Sequence, residues 1–170
     1  MSSIQYNIPV KAGLIAGGLS ILWLLLWYFI RPSYMTSMWV LGATWIFYIG
    51  AMSYTGMKTV QENDTFQIVL RTIFVTFLVT NLLYYAFDLV MVRWIDPAIA
   101  DFRQLETIRF YENMGNADNV KEMLKQVKEA DFKPTIGTTI FNYFRGAIGG
   151  FMIAFLLTFI VRRRFSMNDR

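Results

Sequence analysis

The stretch AGLIAGGLSILWLLLWYFI, residues 12–30, contains nineteen consecutive residues without a charge. At ~1.5 Å rise per residue such a helix spans roughly 28 Å, close to the thickness of a bilayer's hydrocarbon core. A cleavable signal peptide would have a basic start, a shorter apolar segment and a small-residue cleavage site. Here Lys11 is the only cation before the stretch, and Arg31-Pro32 follows it. The pattern predicts a retained membrane-spanning helix over residues 10–30.

Three further apolar blocks follow, at residues 35–54, 68–95 and 136–161. Hydrophobic residues make up 55% of the chain and charged residues only 16%, against about 25% charged in an ordinary soluble domain. Pro32 cannot continue the first helix, so the first two blocks form a tight helical hairpin. The fold class predicted is an all-α integral membrane four-helix bundle, with residues 1–170 in a single domain.

The sizeable polar region, residues 96–134, separates the third and fourth blocks. Asp96-Pro97 is a helix start, because Asp caps a helix and Pro suits the first helical position. Apolar residues then recur at helical spacing in two segments. The region predicts an amphipathic helical hairpin outside the bilayer core. The apolar positions of its two helices are Ile99, Phe102, Leu105 and Ile108, then Val120, Met123, Leu124 and Val127.

Four spans place both termini on one side of the membrane. The cations Arg162, Arg163 and Arg164 directly follow the last block, and basic residues beside spans are typical of the cytoplasmic face. We therefore expect a multi-pass protein with both termini cytoplasmic. The same three arginines are also candidates for binding anionic lipid headgroups.

Only the last two blocks carry a charge in their interiors, Asp88 and Arg145. Asp88 lies ~10 Å below one end of its helix, and Arg145 lies ~13 Å below the same surface. A lone charge in the bilayer costs on the order of 2.5–3.5 kcal/mol, and pairing removes much of that cost. We predict that Asp88 and Arg145 form an intramembrane ion pair.

Polar neighbours at helical spacing predict that both charges face the interior of the bundle. In the third block the stripe holds Asn81, Tyr84 or Tyr85, and Asp88; in the fourth it holds Thr138, Asn142, Arg145 and Gly149. Asn81 and Asn142 are therefore expected as interior polar residues. The pair is either a static link between two helices or, alternatively, a proton relay or a site for a charged ligand.

Two small-residue motifs, Gly13-x-x-x-Gly17 and Gly146-x-x-x-Gly150, indicate close helix packing. They lie at different depths, so we do not expect them to contact each other. Either both serve packing inside the monomer, or one of them forms a dimer or partner contact.

No catalytic, cofactor-binding or metal-binding constellation is evident. The chain has no cysteine and no histidine, which excludes disulfides, thiolate metal sites, imidazole bases and histidine-ligated haem. No nucleotide-binding or metalloprotease motif is present, and the basic residues do not form a nucleic-acid-binding stripe. Asp96, Asp101 and Glu112 are a candidate cation site. We expect a protein that is not an enzyme and binds no cofactor.

The order of these features resembles a bacterial inner-membrane family, domain of unknown function 4199. The resemblance covers almost the whole chain. Its members have four spans and no defined catalytic residues, and their genes tend to lie near that of a polyprenyl-phosphate-type glycosyltransferase. This implies a partner role in the inner membrane. The resemblance is carried by Ala12-Gly13 to Gly17-Gly18, then Gly50, Gly56 and Lys58, Asn63-Asp64-Thr65-Phe66, Asp96-Pro97, and Gly137 through Gly150 before the basic tail.

The function we expect is that of a non-enzymatic accessory or scaffold subunit. It would bind another membrane protein, such as a polyprenyl-phosphate glycosyltransferase, or a second copy of itself. The alternative is a small proton-coupled transporter that uses Asp88. A third possibility, an enzyme acting on lipid-linked sugars, would need a polar cavity lined by residues of the 96–134 region.

Overall fold

The structure, a computed structural model, describes residues 3–59, 65–113 and 118–168; side chains 3–6, 118–119 and 164–168 are not described. The described part is helical throughout its regular structure. A short 3₁₀ helix, Pro32–Thr36, joins the first two helices, and a π-helical turn, Met91–Ile95, continues the third. The six α-helices are α1 (Ser3–Ile30), α2 (Met38–Thr59), α3 (Phe66–Val90), α4 (Ala98–Asn113), α5 (Asp118–Glu129) and α6 (Ile136–Asn168).

Three stretches of the described chain are long and apolar enough to cross a membrane: Asn7–Ile30 in α1, Phe66–Ile95 in α3 and its π turn, and Ile136–Arg163 in α6. These agree with three of the four predicted spans and with a membrane protein. The fourth prediction corresponds to α2, which does not reach the same apolar composition because Trp, Tyr, Thr, Ser and Gly interrupt its aliphatic residues.

The direction of the chain alternates from one long helix to the next. Gly13 of α1 lies against Thr76 and Val79 of α3, and Gly17 lies one turn further along against Leu83, so α1 and α3 run parallel. On α6 the order is reversed. Gly146 faces Asn81 and Tyr85, whereas Gly150 faces Phe77, so α6 runs antiparallel to α3. Since α1 and α3 are parallel, α2 returns the chain between them.

Both small-residue motifs pack inside the monomer, against two sides of α3. A Cβ added to Gly13 would lie 2.7 Å from the Cβ of Val79, and one added to Gly17 would lie 2.9 Å from the Cβ of Leu83. A Cβ on Gly150 would overlap the ring of Phe77. The glycines let both α1 and α6 approach α3 more closely than any larger residue allows. The motifs do not contact each other, as predicted.

Two apolar clusters form the core, one at each end of the long helices. The first, which defines the hairpin end, joins the end of α1, the beginning of α2, the π turn and the beginning of α4. The second, at the opposite end, joins α2, the beginning of α3 and the end of α6. Their buried members are Leu24, Met35, Val40, Met91, Val92, Ile99 and Ala100, and Tyr48, Met52, Val69, Ile73, Phe77, Ala154 and Val161, respectively.

The predicted helical hairpin is present as α4 and α5, but only α5 is clearly amphipathic, because α4 buries Ile99 and Ala100 and exposes Leu105 and Phe110. Asp96 caps α4, because its Oδ1 accepts a hydrogen bond of 3.1 Å from the backbone N–H of Ala98. Gln104 joins the two helices: its Nε2 donates to the backbone carbonyls of Val127 (3.0 Å) and Lys128 (3.1 Å) near the end of α5. These carbonyls have no partner within the helix itself, so one α4 side chain fixes the end of α5.

Candidate functional site

The buried carboxylate of Asp88 is bound by Arg103 in a two-pronged ion pair. Arg103 Nη1 donates to Asp88 Oδ2 at 3.0 Å, and Nη2 donates to Oδ1. The Asp88 side chain is 13% exposed and that of Arg103 is 25% exposed. A planar guanidinium facing both carboxylate oxygens is the strongest geometry for such a pair, and it fixes α4 to the last turn of α3.

The predicted ion pair between Asp88 and Arg145 is therefore wrong. The partner is supplied by the amphipathic hairpin and not by the last span. After the π turn, Asp96 starts a new helix that folds back over the hairpin end, and Ile99 and Ala100 anchor it in the core. Arg103, one turn further along α4, contacts the carboxylate of Asp88. Arg145 is exposed and forms no ion pair with any carboxylate of the described residues.

Helix α6 is rotated relative to the prediction. Its expected interior stripe, namely Thr138, Asn142, Arg145 and Gly149, is exposed. The buried face instead contains Gly150, Ala154, Thr158 and Val161. Small residues on this face let α6 approach the Phe77 side of α3, and the dense packing gained decides the rotation of the helix. Asn142 is consequently not an interior polar residue, which corrects that prediction.

The predicted stripe on α3 does face inward. Asn81 is 5% exposed, and its Nδ2 donates to the backbone carbonyl of Tyr143 on α6 at 3.4 Å. Tyr84 and Tyr85 follow it toward Asp88, with ring centroids 5.3 Å apart. The polar residues of α3 thus form a continuous column that leads to the ion pair.

Tyr84 stands between two cavities. One, about 360 Å³, lies between α2, α4 and the segment before α6, and is bordered by Arg103, Thr107, Phe110 and Phe132. The other, about 270 Å³, lies between α2, α3 and α6, and is bordered by Thr44, Asn81 and Tyr85. Arg103 of the ion pair therefore lines the first of these two cavities.

Two opposing effects act on the pKa of Arg103. Burial by itself would lower the pKa of Arg103, because it disfavours the charged guanidinium. The hydrogen bond to Asp88 and the charge of Asp88 outweigh this effect, so the pKa of Arg103 is raised. The guanidinium of Arg103 therefore stays charged in this partly buried position.

A second polar link ties α1 to the same region. The hydroxyl of Tyr28 donates to Asp96 Oδ2 at 3.2 Å, while the other oxygen of Asp96 caps α4. The cap was predicted from the Asp96-Pro97 pair, but the contact with Tyr28 was not. No sequence spacing indicates it, because 68 residues separate the two side chains.

Two further sets of predicted site residues are the lipid-binding arginines of α6 and the candidate cation-binding acids in and before α4. Arg162 and Arg163 are exposed near the end of α6, and the side chain of Arg164 lies outside the described residues. Asp96, Asp101 and Glu112 do not come together. Within the described ranges, no group of three or more acidic side chains is placed to hold a metal ion.

Comparison with known proteins identifies a family over most of the chain. The family described as Protein of unknown function (DUF4199) matches residues 11–163. No curated protein and no solved structure matches the chain.

Proposed function

The chain belongs to the DUF4199 family, and on this premise we propose that it is a non-enzymatic accessory subunit that binds another membrane protein. The binding surface is the outward face of α6 around Arg145. The family's gene neighbourhood makes a polyprenyl-phosphate glycosyltransferase the first candidate partner. The proposal includes a bacterial inner-membrane location with both termini in the cytoplasm.

The directions of the long helices support α2 as a fourth span. Helices α1 and α3 run parallel and both are apolar enough to cross a bilayer, so the chain must return between them. The 22 residues of α2 extend ~33 Å, and its residues 38–57 carry no charge. Its outward side chains, among them Ile46, Ile49 and Tyr54, are exposed and apolar enough to face lipid.

The chain has no native cysteine, so single-cysteine labelling tests this topology directly. Ser33→Cys lies in the connection before α2, and Lys58→Cys lies at the end of α2. In intact cells an impermeant maleimide is expected to label the Ser33→Cys variant and not the Lys58→Cys variant. Equal labelling of the two variants would contradict a fourth span, and labelling of Lys58→Cys alone would contradict the proposed orientation.

The observation that carries the function is the environment of Arg145. It lies ~13 Å along the axis from the start of α6, among exposed side chains of Phe141, Phe144 and Ile148. A guanidinium facing hydrocarbon is costly, and an intramembrane cation is normally paired. Since Arg145 forms no ion pair within the described chain, a carboxylate from outside satisfies it.

The partner is a different protein and not a second copy. Asp88 is the only acidic residue in the four long helices, and both of its oxygens are already bound by Arg103. A second copy therefore has no free carboxylate to offer at that depth. The partner needs an Asp or Glu within its own span, beside apolar residues that pack on α6.

The test is photo-crosslinking in native membranes. A photoreactive residue at Phe144, beside Arg145, is expected to capture a membrane protein, whereas one at the equally lipid-exposed Leu22 of α1 is not. Arg145→Gln should abolish the Phe144 crosslink and Arg145→Lys should retain it. Capture of a second copy of the chain, or of lipid only, would overturn the proposal.

The transporter alternative receives less support. A coupling acid has to bind and release protons, but the Asp88 carboxylate accepts two hydrogen bonds from a permanently charged guanidinium. What favours transport is that Tyr84 and Arg103 border a cavity. Proton flux in proteoliposomes that Asp88→Asn abolishes, with the fold intact, would establish this alternative.

A further inference from the structure

A cleft of about 450 Å³ opens at the hairpin end, between the α1–α2 connection and the outer side of α4. It is separate from the Asp88–Arg103 pair and from the α6 surface. Its lining combines two arginines, two serine hydroxyls and a single acid with an apolar wall. The residues are Arg31, Ser33, Ser37, Glu106 and Arg109, with Pro32, Tyr34, Trp39, Phe102 and Leu105.

We propose that this cleft binds the phosphate of an anionic lipid headgroup. Arg31 and Arg109 supply positive charge. Arg31 follows α1 and Arg109 lies on α4, and both line the cleft with exposed side chains. Guanidinium groups are suited to phosphate because they present several N–H donors in one plane. Ser33 and Ser37 add hydroxyl donors on the α1–α2 side.

The position of the cleft points to a lipid and not to a soluble phosphate. Arg31 is the first residue after the uncharged run 12–30, so its guanidinium lies where the hydrocarbon core ends. Tyr34 and Trp39 line the cleft and are partly exposed, as aromatic residues at a membrane interface are. Phe102 and Leu105 extend the apolar wall alongside, which suits the first carbons of an acyl chain.

Each charged group of the cleft contacts a neighbouring side chain. The Arg31 guanidinium lies 5.6 Å from the centre of the Tyr34 ring, a cation–π contact. Arg109 Nη1 donates to Glu106 Oε1 at 3.0 Å along α4. Glu106 therefore orients Arg109 but also repels an incoming phosphate, so the carboxylate and the ligand compete for the same cation.

The test is lipid titration of the purified full-length chain in detergent, followed by native mass spectrometry. The probe is phosphatidylglycerol, with phosphatidylcholine for comparison. Arg31→Gln combined with Arg109→Gln is expected to weaken phosphatidylglycerol binding at least 10-fold. Lys125→Gln combined with Lys128→Gln removes the same charge from the exposed side of α5 and should change it less than 2-fold.

Glu106→Gln provides a variant for which the affinity for lipid is expected to change in the opposite direction. Removal of the competing carboxylate is expected to tighten phosphatidylglycerol binding a few-fold, which loss of folding cannot mimic. Equal weakening by the arginine and lysine pairs, or no gain with Glu106→Gln, would overturn the site. Displacement of the lipid by millimolar inorganic phosphate would show that the cleft binds free phosphate, and would overturn the lipid assignment.

Discussion

Arg103 reaches Asp88 from fifteen residues further along the chain, with a π turn and a helix start between them. The contact joins a helix that is long and apolar enough to cross a membrane to a helix of the hairpin that follows it. It gives Asp88, the single acidic residue of the long helices, a counter-charge. It also holds α4 against the end of α3.

Asp88→Asn is expected to destabilise the protein, because it leaves the Arg103 guanidinium largely buried without its counter-charge. Breaking a buried pair costs about 3–5 kcal/mol, and the lower end applies here since Arg103 is a quarter exposed. Thermal unfolding in detergent measures the effect. Arg103→Gln should cost a similar amount, whereas Arg145→Gln should leave the unfolding temperature unchanged.

A double-mutant cycle separates the two candidate partners of Asp88. Asp88→Asn and Arg103→Gln should be strongly non-additive, because they remove the same interaction. Asp88→Asn and Arg145→Gln should be additive within about 0.5 kcal/mol. A coupling energy between Asp88 and Arg145 larger than that between Asp88 and Arg103 would refute the pairing described above.

Neighbouring glycines on α6 provide a matched test of the close approach to α3. Gly150→Ala places a methyl group into the ring of Phe77, which is almost fully buried and cannot move aside. Overpacking of this kind typically costs about 1–3 kcal/mol. Gly149→Ala meets nothing within 4 Å and should be neutral or slightly stabilising. Unfolding temperatures of the two variants that do not differ would contradict the packing of α6.

Asp96 has two roles that substitution can separate. Asp96→Ala removes both the cap of α4 and the contact with Tyr28, and is expected to cost about 1–2 kcal/mol. Asp96→Asn retains an oxygen for the Ala98 N–H and should cost less. Tyr28→Phe removes only the link to α1. Faster amide exchange at the start of α4 in Asp96→Ala, but not in Tyr28→Phe, is the expected pattern.

Gln104 is expected to control the end of α5 without affecting the long helices. Gln104→Ala leaves the carbonyls of Val127 and Lys128 without their side-chain donor. Amide exchange in the last turn of α5 should rise several-fold, while the unfolding temperature of the whole protein stays the same. The control is Lys125→Gln on the exposed side of α5, which should leave that exchange unaltered.

The helical elements themselves were predictable from local pattern. The long helices were predicted from the uncharged runs. The two helices of the hairpin were predicted from the Asp96-Pro97 start and from the apolar spacing of residues 99–127. The glycine motifs indicated close packing, and the polar stripe of α3 indicated its interior face. Each of these properties depends on residues within a few turns of one another.

The site was only half predicted. Asp88 and Asn81 were placed correctly inside, but Arg145 and Asn142 were expected on the interior face of α6 when they are outside. Polarity does not decide which face of α6 is buried. Small residues at Gly150 and Ala154 pack against α3 instead, and the resulting close contact outweighs the burial of a polar stripe.

The sequence by itself determined which segments are helical, which are apolar enough to enter a bilayer, and that Asp88 needs a counter-charge. Only the tertiary structure decided that Arg103 provides it. Hydrophobicity and helix periodicity act over neighbouring residues and can be read along the chain. The choice between two arginines depends on how α4 folds back after the π turn and on how far α6 rotates, and both are set by packing between segments that are distant in sequence.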